Sequence, residues 1–199
     1  MFFEPYLPLS QFLELHLMDL FLSKREKYLW FWLVLLVATI YGTLGITQPA
    51  ALLLRERGWL EAAFTTLFAL VAVSALAHGI IRGKNLRELI VWICILVVYL
   101  MVFVRIEIPE ERTHLVEYGA VALLALEAFR ERFRYKVNIK NPAILAILLT
   151  TCFAIIDECI QYFMPSRVFD PFDILFNFVA AFLSVSASES LAWIRIGKK

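Results

Sequence analysis

The chain has 199 residues, 61% of them hydrophobic and 15% aromatic, with a formal net charge of +1. Ordinary soluble domains are about 45–50% apolar, so this excess, with a mean hydropathy of +0.75, has nowhere to go but lipid. A balanced charge gives no basic surface for nucleic acid, and Cys94, Cys152 and Cys159 show neither CxxC nor Cys/His metal spacing.

Residues 1–22 are apolar but broken by Glu4, Pro5, Pro8, Glu14, His16 and Asp19. Ser10 can cap a helix over QFLELHLMDLFL, which is too short and too polar to span. The stretch predicts an interfacial helix lying on the membrane. No cleavable signal peptide is expected, because no basic segment precedes a short apolar core. Residues 1–27 therefore read as an N-terminal interfacial, cytoplasmic segment, and 28–199 as a single transmembrane domain.

Six spans follow, each near the roughly 20 residues needed to cross a bilayer core. The first covers about 28–46, with Tyr28, Trp30 and Trp32 at an aromatic belt, and Thr47, Gln48 and Pro49 end it. The second covers about 59–81, with Glu61 at its entrance, and the third about 88–106. Pro109, Glu110 and Glu111 open the fourth, about 109–129, as proline and acids suit a first helical turn. Asn141-Pro142 opens the fifth, about 142–163, and Asp170-Pro171 opens the sixth, which runs to about Ile194. The cysteines lie inside these apolar runs and read as small buried hydrophobes. The fold class expected is all-α: a polytopic integral membrane helical bundle of about six transmembrane helices plus the interfacial helix.

Six spans put both termini on one side. That side collects fourteen of the 19 basic residues, among them Lys24, Arg25, Lys27, Arg130, Arg132, Arg134, Lys136 and Lys140. The other holds only Arg55, Arg57, Arg105, Arg112 and Arg167. The positive-inside rule places both termini in the cytoplasm.

On this topology three spans and one loop deliver polar groups to the outer face. Span four starts there with Arg112, His114, Glu117 and Tyr118; span five ends there with Asp157, Glu158 and Gln161; Arg167 and Asp170 lie in the loop; span six starts with Asp173 and Asn177. His114 and Glu117 are i,i+3, and His114–Tyr118, Asp157–Gln161 and Asp173–Asn177 are i,i+4, so each pair shares a helix face. Ionisable groups at membrane depth need partners or a task. This set can support acid–base chemistry, can hold an anionic head group through Arg112 and Arg167, or can take a hard divalent cation such as magnesium or calcium. No catalytic residue is assigned, nor any metal ligand set, since ligand spacing on transmembrane helices is not diagnostic. Plainer roles stand beside these. Asp170 and Asp173 suit the capping of span six, Arg167 can pair with Asp157 or Glu158, and the remainder can form a buried network joining helices. Neighbours on a helix point about 100° apart. Asp157 is therefore expected inward, beside His114, and Glu158 at the bundle edge.

ERTHLVEYG over 111–119, followed by DECIQYFMPSRVFDPFDILFN over 157–177, resembles the VanZ-like membrane protein family. That family pairs an H-x-x-x-Y helix with a later D-E-x-x-Q-x-x-x-P-x-R stretch and D-x-x-x-N on the last helix. The matching positions are His114, Tyr118, Asp157, Glu158, Gln161, Pro165, Arg167, Asp173 and Asn177, while Glu111, Arg112, Glu117 and Asp170 fit a common variant. The resembling core covers about 86–194. Ser166 stands where glycine is frequent, as do Ala180 and Ala181 on the last helix. The resemblance implies a multi-pass protein of the bacterial cytoplasmic (inner) membrane with an envelope role. The family's namesake is associated with resistance to the glycopeptide teicoplanin.

Two functions are weighed. One is an outer-face site that binds or acts on a cell-envelope amphiphile, such as a lipid-linked phosphate or sugar or a glycopeptide-related molecule. The other is a non-catalytic membrane protein whose polar cluster joins its helices and offers a partner surface. An ion-coupled carrier is disfavoured, because spans one to three and the inner halves of the rest carry few charges for a pathway.

Overall fold

The computed structural model describes residues 21–82, 86–105, 112–135, 141–164 and 169–196. The expected interfacial helix, Arg167 and the start of span four at 109–111 lie outside these. The described residues form six helices: α1 Lys24–Glu56, α2 Leu60–Arg82, α3 Leu86–Arg105, α4 Arg112–Arg134, α5 Pro142–Tyr162 and α6 Pro171–Ile196. No strand occurs among them.

Helix starts follow local chemistry. The Ser23 hydroxyl accepts the Glu26 backbone N–H at 3.0 Å to cap α1. Asn141 caps α5 by accepting from the N–H groups of Ala143 and Ile144, and Pro142 fits the first turn, whose N–H needs no partner. The expected cap of α6 is present: the Asp170 carboxylate accepts the Phe172 N–H at 2.8 Å.

The end of α1 departs from expectation. The helix runs through Pro49 to Glu56 instead of stopping at 47–49. A proline removes one backbone donor but does not oblige a membrane helix to end. The stop comes at Gly58, with φ +71°. There the Gly58 N–H bonds Arg55 O at 3.0 Å and the Trp59 N–H bonds Leu54 O at 2.9 Å. This is a Schellman turn, which needs the left-handed conformation glycine adopts freely.

Among the described residues, five helices are long and apolar enough to cross a membrane: Lys24–Ile46, Leu60–Ile81, Leu86–Arg105, Pro142–Tyr162 and Pro171–Arg195. The remaining helix, α4, carries the most charge yet sits at the centre, packed against α1, α5 and α6. Its Val121, Ala122, Ala125, Leu126 and Ala128 are fully buried. Other helices, rather than its own side chains, screen it from lipid. Small residues set the close approach, and Ala180 and Ala181 of α6 are likewise fully buried. The outside of the bundle shows large apolar side chains such as Phe31, Val73, Ile81, Val104, Leu148 and Trp193. Bands of that kind on spanning helices face lipid. All three cysteines lie on this outer surface, contrary to the expectation of burial. Lipid is as apolar as a protein core, so an apolar run does not say which way a residue faces. The chain is a multi-pass membrane protein.

One end of the bundle is stitched by ion pairs. Glu26, fully buried at the start of α1, lies 2.6 Å from Arg132 Nε on α4. Arg25 reaches Glu127 at 2.8 Å and Glu131 at 3.3 Å. Arg130 bonds Glu127 at 2.8 Å and Glu189 of α6 at 2.9 Å. Arg195 of α6 pairs with the buried Glu88 of α3. This basic end is where the expected cytoplasmic residues gather, and the motif residues collect at the opposite end.

Candidate functional site

At the other end, α4 begins, α5 ends and α6 begins, and each brings polar side chains inward. Tyr118, 1% exposed, donates its hydroxyl to Asp157 Oδ2 at 2.8 Å. Asp157 was expected to meet His114. A hydrogen bond to it comes from Tyr118, one turn further along α4 than His114, and ties α4 to α5 in the buried interior.

Glu158 is also fully buried, which corrects its expected place at the bundle edge. The reason is the neighbouring loop. Glu158 Oε2 accepts the backbone N–H of Asp170 at 3.1 Å, and its Oε1 accepts from Gln161 Nε2 at 3.3 Å. The carboxylate thus holds the residue that caps α6, and α6 covers it. Both orientations of the adjacent acids are inward because α5 is wedged between two helices here.

His114, 9% exposed, places Nδ1 3.8 Å from Glu117 Oε2 one turn on. Its ring centroid is 5.9 Å from that of Tyr118. The largely buried Arg112 side chain reaches toward the hairpin: its guanidinium lies 2.5 Å from Glu61 of α2 and 4.7 Å over the Phe103 ring of α3. Asp173 lies in the first turn of α6. Asn177, one turn deeper on α6, is fully buried, and its amide has no hydrogen-bond partner among the described residues.

The structure therefore joins Tyr118 with Asp157, Glu158 with Gln161 and Asp170, and His114 with Glu117. Thr150 extends the buried stripe of α5 through Ala154 to Asp157 and Gln161. Two contacts escaped the sequence. Tyr41 of α1 donates to the Phe153 carbonyl at 2.7 Å, one turn before Asp157. Its hydroxyl within a largely apolar span, between Thr39 and Thr43, was the available signal. Glu61, read as an entrance residue, is the partner of Arg112.

Among the described residues no group of three or more His, Cys, Asp or Glu is placed to hold a metal ion. The interior is instead a set of acceptors, phenol and amides in a low dielectric, where each polar contact is strong and each unmet group costly.

No curated protein and no solved structure matches this chain. The family model described as VanZ/LLP1 matches residues 10–191, nearly the whole length and well beyond the motif-bearing second half. By that match the chain belongs to the VanZ/LLP1 family.

Proposed function

We propose that this VanZ-like protein uses its polar end, at the outer face of a bacterial cytoplasmic membrane, to bind or act on a cell-envelope amphiphile such as a lipid-linked phosphate or sugar. One observation carries the reading. Asp157, Glu158, Gln161 and Asn177 are all buried at one end of a lipid-facing bundle, and the Asn177 amide is left without a partner among the described residues. A buried carboxamide with unmet donors and acceptor is costly for folding alone, and a polar ligand group repays it.

A second reading has its own support. Tyr118–Asp157 joins α4 to α5, and Glu158–Asp170 joins α5 to α6. These are the links a purely structural network and partner surface would have.

Asn177→Leu separates the two. A site residue gives a variant with folded yield equal to wild type in detergent and a lost cellular phenotype, read as susceptibility to teicoplanin and other envelope-directed antibiotics. Unchanged phenotype and yield sink the site reading. Asp157→Asn and Glu158→Gln are both expected to lower folded yield, because each strips a buried partner. Sensitivity confined to Asp157 would contradict the anchoring of α6 by Glu158.

The orientation rests on fourteen basic residues against five. Residues 28–199 form one membrane domain in this view, preceded by a cytoplasmic interfacial segment. A reporter active only outside the cytoplasm is expected to work when fused near Pro165 and to fail near Lys136 or after Lys199. Activity at Lys136 inverts the protein in the membrane.

A further inference from the structure

The hairpin of α2 and α3 is fastened to the rest of the bundle by ion pairs at its two ends and, between them, by the hydrogen bond of Tyr99 to Ser184 of α6. At the basic end Glu88 of α3 pairs with Arg195 of α6. At the site end Glu61 of α2 pairs with Arg112 of α4, while within the hairpin Phe68 of α2 stacks on Phe103 of α3 with ring centroids 3.9 Å apart. Between these ties lies a cavity of about 420 Å³. Its walls include Val71 and Ala75 of α2, Trp92 and Leu96 of α3, Leu123 of α4 and Leu191 of α6. None of the polar residues at the site end lines it, so the inference goes beyond the function proposed above.

The cavity is at membrane depth and almost wholly carbon-lined. Of its hydroxyls, those of Tyr99 and Ser184 satisfy each other, and that of Ser188 accepts from Arg130 at 3.0 Å. Water has little to bond there, and apolar cavities stay dry. The wall is also open to the side: Val71 is 39% and Leu123 41% exposed on the outer surface of the bundle, the surface that faces lipid. A volume of this size falls in the range of about 300–1,000 Å³ common for small-ligand sites. Leaving it empty forfeits the dispersion contacts that packing against a chain restores.

We propose that this cavity seats one acyl chain of a membrane phospholipid, entering sideways between α2 and α4. The surrounding bilayer is the source, and the opening faces it. Hydrocarbon then fills the space that the short side chains Ala72, Ala120 and Ala187 leave under the hairpin.

The test is lipid retention. Protein washed in detergent is titrated with palmitoyl-oleoyl phosphatidylglycerol, and retained lipid is counted by native mass spectrometry. Wild type is expected to hold one lipid. Ala75→Phe, which fills the mouth from an already exposed position, is expected to lower retention roughly tenfold, about 1.4 kcal/mol. Leu148→Phe, on the lipid-facing side of α5, is expected to leave retention unchanged. Leu123→Trp closes the opposite edge of the mouth and repeats the test should Ala75→Phe fold poorly. Phosphatidylethanolamine with the same chains is expected to be retained equally. The proposal is overturned by a wild type that retains no lipid, by folded mouth variants that retain as much as wild type, or by retention that follows the head group instead of the cavity.

Discussion

Arg132→Ala is expected to destabilise the protein by about 3 kcal/mol, because it strands a carboxylate that has no access to water. Glu26 is fully buried, and Arg132 Nε lies 2.6 Å from it while the arginine side chain is 31% exposed. The carboxylate also accepts the Leu22 N–H at 2.8 Å and faces the Trp30 indole N–H at 3.4 Å. Those neutral donors soften the loss without replacing the charge. In thermal unfolding in detergent the expected fall is roughly 6–12 °C, from about 2–4 °C per kcal/mol for a chain of this size. Arg25→Ala is the comparison. Its side chain is 50% exposed, and its partner Glu131 keeps Arg134 at 3.1 Å and the Ser23 hydroxyl at 3.0 Å. An exposed pair is worth about 0–1 kcal/mol, so Arg25→Ala should move the midpoint little. Equal shifts for the two would mean that burial of Glu26 does not govern this end of the bundle.

Gly119→Ala is expected to destabilise by about 2 kcal/mol, although alanine is the better helix former. An added Cβ would lie 2.7 Å from Ser184 Oγ, too close for any real contact, while Ser184 Cβ would be an ordinary 3.9 Å away. The contact lies between α4 and α6. The serine cannot simply rotate aside, since its hydroxyl is held by Tyr99. Ser184→Ala removes the offending oxygen and leaves the Tyr99 hydroxyl unmet, a loss of about 1 kcal/mol. The double variant should therefore lose about 1 kcal/mol, and not the roughly 3 kcal/mol of the summed singles, because neighbours in contact do not add. Additive losses would show that helix separation, not the Ser184 hydroxyl, limits residue 119.

Much of this protein is legible in local chemistry. The apolar runs and their lengths state membrane residence, since nothing else accommodates 61% hydrophobic residues in a chain this short. Asn141-Pro142 and Asp170-Pro171 mark helix starts, because capping involves only a residue and the N–H groups two or three positions on. Alternation of spans, with i,i+3 and i,i+4 spacing, suffices to gather His114, Tyr118, Asp157 and Gln161 at one end. The ERTHLVEYG and DECIQ motifs carry the family.

What the sequence could not supply is direction across a helix. In water the apolar face of a helix is the buried one; in lipid both faces are apolar, and the pattern loses its sign. Only packing decides that Cys94, Cys152 and Cys159 face outward, and that charged α4 is the centre of the bundle. Packing also decides that Glu158 is covered by the start of α6, and that Tyr41 meets α5. Arg130, Arg132 and Arg134 read as a topology signal in the sequence; in the fold they are also ion-pair partners of Glu26, Glu127, Glu131 and Glu189. The pairs of Arg132 with Glu26 and of Arg130 with Glu189 join residues far apart in the chain and leave no mark on local composition, because their energy exists only once α1, α4 and α6 lie side by side.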